Sequence, residues 1–279
     1  EEIQPENVQT LWLEQDNLMI CTFRMCNFIR ACFAPKKKWR KLVEFILSWV
    51  TGVTVDSSSI PDYYTQGHYQ ETEPFELQAE HTVSRAMKWF DEAGILLEEG
   101  KRGMQEGFGT EIYPDGTRRR TFNIRDDCMG EVGMMYAMDY VKNRTERSKQ
   151  IAGNLFSYCY DYMQCKEKGP FHGMVGWTDS AWGVCYTHDT ARLIVGELLQ
   201  NLYLGTDTHM QEIQDALDYL IRTSGSDGLR ARRLDNVNLD EEKIRQIHSS
   251  PCDDPEPGDA YFFMALLIFY KITGLERYR

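Results

Sequence analysis

The chain has 279 residues, 42% hydrophobic and 27% charged, with a formal net charge of -12. That is the composition of a globular protein with ample material for a core. The acidic balance argues against a general nucleic-acid or anionic-membrane surface, and no apolar run approaches the length of a membrane span. Aromatic residues make up 12% of the chain, including 15 Tyr and 6 Trp, which suits a carbohydrate pocket as well as a large core. The eight cysteines show no C-x-x-C and no zinc or disulfide spacing, so reduced thiols are expected. Nothing in the chain assigns a compartment.

Residues 1–55 differ in character from the rest of the chain. The run Leu18-Met19-Ile20-Cys21-Thr22-Phe23 reads as a buried strand. Pro35 then opens a basic amphipathic helix with Trp39, Leu42, Val43, Ile46, Leu47 and Val50 on one face, and Gly52 stands after it as a stop. One strand and one helix make no domain, so this short α/β segment is either the tail of an α/β domain or an extension packed on the main body. It is similar to the closing segment of flavodoxin-like, glutamine-amidotransferase-like domains. Residues 55–74, with Ser57-Ser58-Ser59 and two prolines, read as a linker.

From there the chain is helical. Periodicity predicts helices over 82–97, 128–141, 147–163, 187–204, 208–221 and 259–272. The first, third and fifth carry one polar and one apolar face, as outer helices do. The second is rich in small residues and methionine (Met129, Gly130, Gly133, Met134, Met135, Ala137), and the sixth is apolar nearly all round (Phe262, Phe263, Met264, Leu266, Leu267, Phe269). Both should be buried on most sides. The fourth is intermediate, with Gly205 as its stop.

The connections alternate as well. Those after the second and fourth helices are short, which forces antiparallel neighbours. Those after the first, third and fifth are long, and each holds a glycine-led segment at Gly103, Gly173 or Gly228. The expectation is a mainly α array of three helical hairpins over 75–279, outer and inner helices alternating, with the starts of the three inner helices at one end. In the first long connection, Pro114-Asp115-Gly116 reads as a β-hairpin turn.

Three segments meet at that end: Arg125-Asp126-Asp127-Cys128-Met129-Gly130-Glu131, the loop 176–189, and the loop 248–259. An acid at a helix start commonly caps it and complements the macrodipole, typically worth about 1 kcal/mol. Asp126, Asp127 and Glu131 together with Asp179, His188 and Asp189 exceed what capping needs. Glycoside hydrolysis uses two carboxyls, one to protonate the leaving oxygen and one to activate water or attack. Asp127 and Asp189 are therefore the catalytic candidates, with Asp179 and Glu131 in reserve. Trp177, Trp182 and Tyr186 offer flat faces to sugar rings, or pack in the core. Arg125, His188 and Arg192 complete the candidate substrate-binding set, Arg192 standing one turn after Asp189 as either a surface ion partner or a carboxylate orienter. Arg230, Arg232 and Arg233 come after the third glycine segment. Metalloprotease, phosphate-loop and nucleophile-elbow motifs are absent, and the six histidines show no ligand spacing, so no metal and no cofactor is expected.

Arg125-Asp126-Asp127 with Gly130-Glu131, the stretch from Trp177 to Trp182, His188-Asp189-Thr190-Ala191-Arg192 and the closing Tyr270-Lys271-Ile272-Thr273-Gly274 resemble the six-hairpin (α/α)6 toroid glycosidases, nearest to the unsaturated glucuronyl and rhamnogalacturonyl hydrolases. The resemblance covers about 75–279. It implies a carbohydrate-active hydrolase in polysaccharide degradation, with an inner-helix aspartate as general acid/base and tryptophans, histidines and arginines holding a uronic acid. Lyases and sugar epimerases use the same toroid, and a non-catalytic carbohydrate-binding or scaffolding module is a third reading. Three hairpins are half of a toroid, so the chain is either a piece of one or a smaller array.

Overall fold

The computed structural model describes residues 12–21, 36–58, 73–112, 117–255 and 259–279. Two compact units emerge: one comprises residues 1–84 and 108–120, the other 85–107 and 121–279. In the first, β1 (Trp12–Gln15) and β2 (Leu18–Cys21) form an antiparallel pair. The expected buried strand at 18–23 is corrected: Leu18 and Ile20 are about half exposed, β1 being the one strand paired with β2 among the described residues. Thr22 and Phe23 fall outside the described residues, as does most of the 55–74 linker. The amphipathic helix is α1 (Lys36–Thr51).

Helix α2 (Phe75–Glu92) starts and ends earlier than the periodicity of 82–97 predicts. Gly94, at φ 64, turns the chain, and the apolar residues after it pack as irregular backbone bridged at Leu96 and Met104. The hairpin strands are β3 (Gln105–Ile112) and β4 (Arg118–Ile124). Residues 113–116, with the expected Pro-Asp-Gly turn, lie outside the described residues.

The second unit is helical: α3 (Asp126–Asn143), α4 (Glu146–Tyr158), α5 (Thr187–Leu204), α6 (Met210–Arg222), α7 (Glu241–His248) and α8 (Asp259–Thr273). A three-residue pair, β5 (Val184–Tyr186) with β6 (Arg233–Asp235), crosses in front of α5. The described residues thus make a mainly α protein with two-stranded ribbons and no closed sheet. None of its helices is long and apolar enough to cross a membrane.

Helix α5 is central: it packs on α3 and α8, and α4 packs on α3. The glycines of α3 have a steric reason. A Cβ on Gly130 would meet the backbone of Leu193 and the Arg192 carbonyl, and one on Gly196 would meet the Gly130 carbonyl. The two helices therefore touch backbone to backbone, and Phe156 of α4 covers the seam at Gly133 and Gly196. Tyr136, Ile151, Leu155, Phe156, Leu193, Ile194 and Leu198 fill the surrounding core.

Three further expectations are adjusted. The 147–163 helix ends at Tyr158 and continues as a π-helical turn, Cys159–Met163, that turns Cys159, Tyr160 and Met163 all inward. Helix α7 has no counterpart in the predicted set; it is short, buries only Ile244, and is capped by the Asp240 carboxylate accepting from Lys243 N at 2.7 Å. Helix α8 is not covered on most sides: Phe262, Ala265 and Phe269 are buried, whereas Phe263, Met264 and Leu267 are 39%, 39% and 50% exposed.

Candidate active site

The starts of α3, α5 and α8 share one end. Arg125, the residue before α3, reaches Asp189 in the first turn of α5. Arg230 donates from its backbone to Asp259 Oδ2 at the start of α8 (3.2 Å) and from its guanidinium to Thr187 Oγ1 at the start of α5 (2.5 Å). The loop between α4 and α5 is stitched to the end of β4: Arg125 bridges to Thr178, Asp126 N donates to the Trp177 carbonyl, and Asp179 N donates to the Ile124 carbonyl.

At this end Asp127 and Asp189 come together. Arg125 grips Asp127 with both Nε (3.0 Å) and Nη2 (2.9 Å), and the same Nη2 lies 3.1 Å from Asp189 Oδ2. Arg192 donates to Asp127 Oδ2 at 2.8 Å and to Glu131 Oε1 at 2.8 Å. His188 Nε2 stands 2.7 Å from Asp189 Oδ1. Both aspartates are buried, while Arg125, Arg192 and His188 are each about one-fifth exposed and form the outer edge. Beyond that edge Trp177 and Tyr186 pair at 4.9 Å between ring centres, Arg125 lies over the Trp177 ring at 5.4 Å, and His188 meets the edge of Tyr186. The Trp177 indole N–H is buried and has no hydrogen-bond partner among the described residues.

The electrostatics bear on Asp189 and Arg125. Burial raises the Asp189 carboxyl above its ordinary range, the Asp127 charge adds to this, and His188, Arg125 and Arg192 oppose it. Asp127 shares its charge with two guanidiniums that also hold Glu106 and Glu131. Arg125 is itself held firmly protonated: its burial works against the charge, but Asp127 and then Asp189 outweigh it.

Two participants have roles that the sequence does not show. Asp126 is wholly buried, accepts from Asp127 N (2.9 Å) and Thr190 Oγ1 (3.1 Å), and is pushed well above the carboxylate range by burial and then by Asp189 and Asp127. Its place in a run of two acids is the available signal. Glu106 accepts from Arg125 Nη1 at 3.1 Å; its glycine-led segment stands out in sequence for rhythm rather than charge.

Other candidates stand apart. The Asp179 carboxylate accepts from Ile124 N at 3.1 Å, so it fastens the loop to β4. Trp182 is 43% exposed, with its backbone against Gly176. Glu131 joins the group only through Arg192. Arg232 is exposed, Arg233 pairs with Asp235, and Arg230 is a buried strut. In the third loop His248 touches the Ser224 carbonyl and Asp259 meets Arg230, so that loop anchors α8 rather than joining the acids. Cavities of about 400 Å³ beside Phe262, Phe263 and Tyr278 and of about 500 Å³ beside Arg230 and Ile247 open elsewhere.

Asp126, Asp127 and Asp189 offer ligand atoms within 4.8 Å of one another, the spacing a metal ion needs. Two guanidiniums already supply the positive charge there, so a divalent ion would meet Arg125 and Arg192 at close range. The same 4.8 Å is shorter than the roughly 6.5–9.5 Å that leaves room for a water between two inverting carboxyls.

No protein-family model and no curated protein matches the sequence. Among solved structures, the chain is similar to a novel alpha-amylase from Clostridium perfringens, at 12% identity and a TM-score of 0.47, over 71% of this chain and 50% of that one. The chain thus spans half the length of that protein.

Proposed function

We propose that the protein is a glycoside hydrolase acting on an oligo- or polysaccharide, with Asp189 as its general acid/base. The observation that carries this is a buried carboxyl with a raised pKa, next to a fixed anion and behind an aromatic pair. Asp189, whose carboxyl pKa is raised by burial, gives a proton to the glycosidic oxygen as the bond to the anomeric carbon breaks. Its carboxylate then takes a proton from the water that adds to that carbon. Asp127, oriented by Arg125 and Arg192, faces the developing positive charge. Trp177 and Tyr186 offer ring faces to a sugar. Arg125 and Arg192 both already hold carboxylates, which favours a neutral sugar over a uronic acid.

A second reading has its own support: the acids are saturated by arginines and little exposed, as in an ion network that only joins α3 to α5. One experiment separates them. On a panel of aryl glycosides and oligosaccharides, D189N should lose about 10²–10⁴-fold in turnover while retaining its circular dichroism spectrum. A wild-type protein inert on the whole panel, or a D189N variant that turns over normally, overturns the proposal. A new double bond absorbing in the ultraviolet would instead identify a lyase.

A further inference from the structure

Ser157, Glu197 and His209 are far apart in sequence, yet the three meet away from the acid cluster. Glu197 is in the middle of α5 and fully buried. Its Oε1 lies 2.6 Å from His209 Nδ1, at the start of α6. His209 Nε2 lies 3.4 Å from Ser157 Oγ, near the end of α4. The Tyr160 ring flanks the imidazole at 5.1 Å. We propose that Ser157, His209 and Glu197 form a separate nucleophilic site that cleaves uncharged carboxylic esters.

The partners fix the tautomer. A Glu197 carboxylate can only accept, so it holds the proton on Nδ1 and leaves the Nε2 lone pair toward Ser157. That is the arrangement of nucleophile, base and orienting acid that activates a serine, and contacts of this kind are often loose before substrate binds. Helix α6 begins directly after His209, and its first-turn N–H groups, which have no intrahelical acceptor, are the donors the proposal assigns to an oxyanion. A purely mechanical tie has less need of these residues. Asn201 already fixes the α5–α6 turn, donating to the Thr208 carbonyl and accepting from the Thr206 and Thr208 hydroxyls, and burying a carboxylate for the same purpose is costly. Asp161, Glu197 and Glu212 make the surroundings acidic, which disfavours anionic substrates.

In the reaction, Ser157 Oγ adds to the ester carbonyl carbon and His209 Nε2 takes the hydroxyl proton. The tetrahedral adduct collapses, the C–O bond to the alcohol breaks, and the alcohol leaves with the proton from His209. Water then adds to the acyl-serine, again losing a proton to His209. The acid departs and Ser157 regains its proton. Glu197 is the positioning residue. Ser157, His209 and Glu197 are oriented by α4, α5 and α6, and the groups facing the imidazole are Glu197, Glu212, Asp161 and Tyr160. Burial pulls the His209 pKa down, but the Glu197 hydrogen bond and the neighbouring acids outweigh it and raise it. The base is therefore free on the alkaline side.

The test uses the full chain with diisopropyl fluorophosphate, read by intact mass and peptide mapping, and p-nitrophenyl acetate hydrolysis. Expected is one adduct, on Ser157, formed with loss of HF and at a rate that rises as His209 deprotonates. S157A abolishes it, H209Q slows it by on the order of 10²-fold, and E197Q moves the pH profile to lower pH. Absence of an adduct at Ser157, an adduct elsewhere, or a labelling rate indifferent to pH overturns the proposal. The wild-type profile and S157A, a partly exposed change, carry the test even if H209Q or E197Q does not fold.

Discussion

The contact between α3 and α5 can be tested by adding one carbon. A Cβ on Gly130 would stand 2.9 Å from Leu193 N and 3.2 Å from the Arg192 carbonyl oxygen, and closer still to Leu193 Cα. These are backbone atoms, so no rotamer change relieves them, and the helices must part by about 1 Å to restore ordinary contact. Overpacking costs typically about 1–3 kcal/mol, and replacing a mid-helix glycine by alanine returns about 0.5–1 kcal/mol. G130A should therefore lose about 1 kcal/mol net, or roughly 2–4 °C in Tm for a chain of this size. Thermal and urea unfolding by far-UV circular dichroism measure it. Gly153, in α4, has nothing within 4 Å of its would-be Cβ, so G153A should stabilise by up to about 1 kcal/mol. The same substitution thus has opposite signs in neighbouring helices. A G130A protein melting at or above the wild type refutes the backbone contact. Asp127 lies one turn before Gly130, so the same parting stretches the 2.8 Å bond from Arg192 to Asp127 and links stability to the acid cluster.

Two further outcomes are expected. R125M removes a cation that lowers the Asp189 pKa, so the alkaline limb of the glycosidase pH profile, where the general acid loses its proton, should move upward; the change also leaves Asp127 with one guanidinium, at a cost of about 3 kcal/mol. An unchanged alkaline limb in an active R125M protein would show that Arg125 does not tune Asp189. Burial pushes the Glu197 carboxyl up to about 7, against the opposing His209 hydrogen bond. A carboxyl whose folded pKa lies above its ordinary 4.5 favours the fold fully below that ordinary value, and the contribution is lost as pH rises through about 7. The unfolding free energy read from urea titrations should therefore fall across that window by up to about 3 kcal/mol, and E197Q should flatten the fall. Equal slopes in the two proteins exclude Glu197 as the source.

Where side-chain period and stop residue agree, the sequence is sufficient. Helix α5 runs over Thr187–Leu204, the span its apolar spacing predicts, and ends at Gly205 with φ 66, which an L side chain rarely adopts. Periodicity misplaces α2 because the apolar pattern continues through Ile95 and Leu96, whose burial comes from irregular backbone after Gly94. In the acid cluster, Asp127 and Asp189 are legible because both begin helices. Arg125 as their common ligand is not, since its reach depends on the loop bridge to Thr178. Asp126 is hidden by the opposite effect: adjacent acids look alike in sequence, but a helix start turns one toward Thr190 and the core and the other toward the arginines. The meeting of Ser157, Glu197 and His209 depends wholly on how α4, α5 and α6 pack, for which no local pattern exists.

Helix α5 carries both proposed sites, and its geometry decides how they communicate. Asp189 and Glu197 are eight residues apart, about 12 Å along the axis and about 80° around it. One acid thus faces the start of α3 and the other faces α4 and the start of α6. Removing the Asp189 charge alters the hydrogen bonds of Arg125, Arg192 and His188, none of which touches Ser157, Glu197 or His209. D189N should consequently leave the labelling of Ser157 unchanged. G130A is different in kind, because it displaces α5 as a body against α3, and Phe156, the neighbour of Ser157, lies across the Gly133 and Gly196 seam. That variant should disturb both sites together. A D189N protein with altered Ser157 labelling would mean that the coupling runs through charge rather than through the position of the helix.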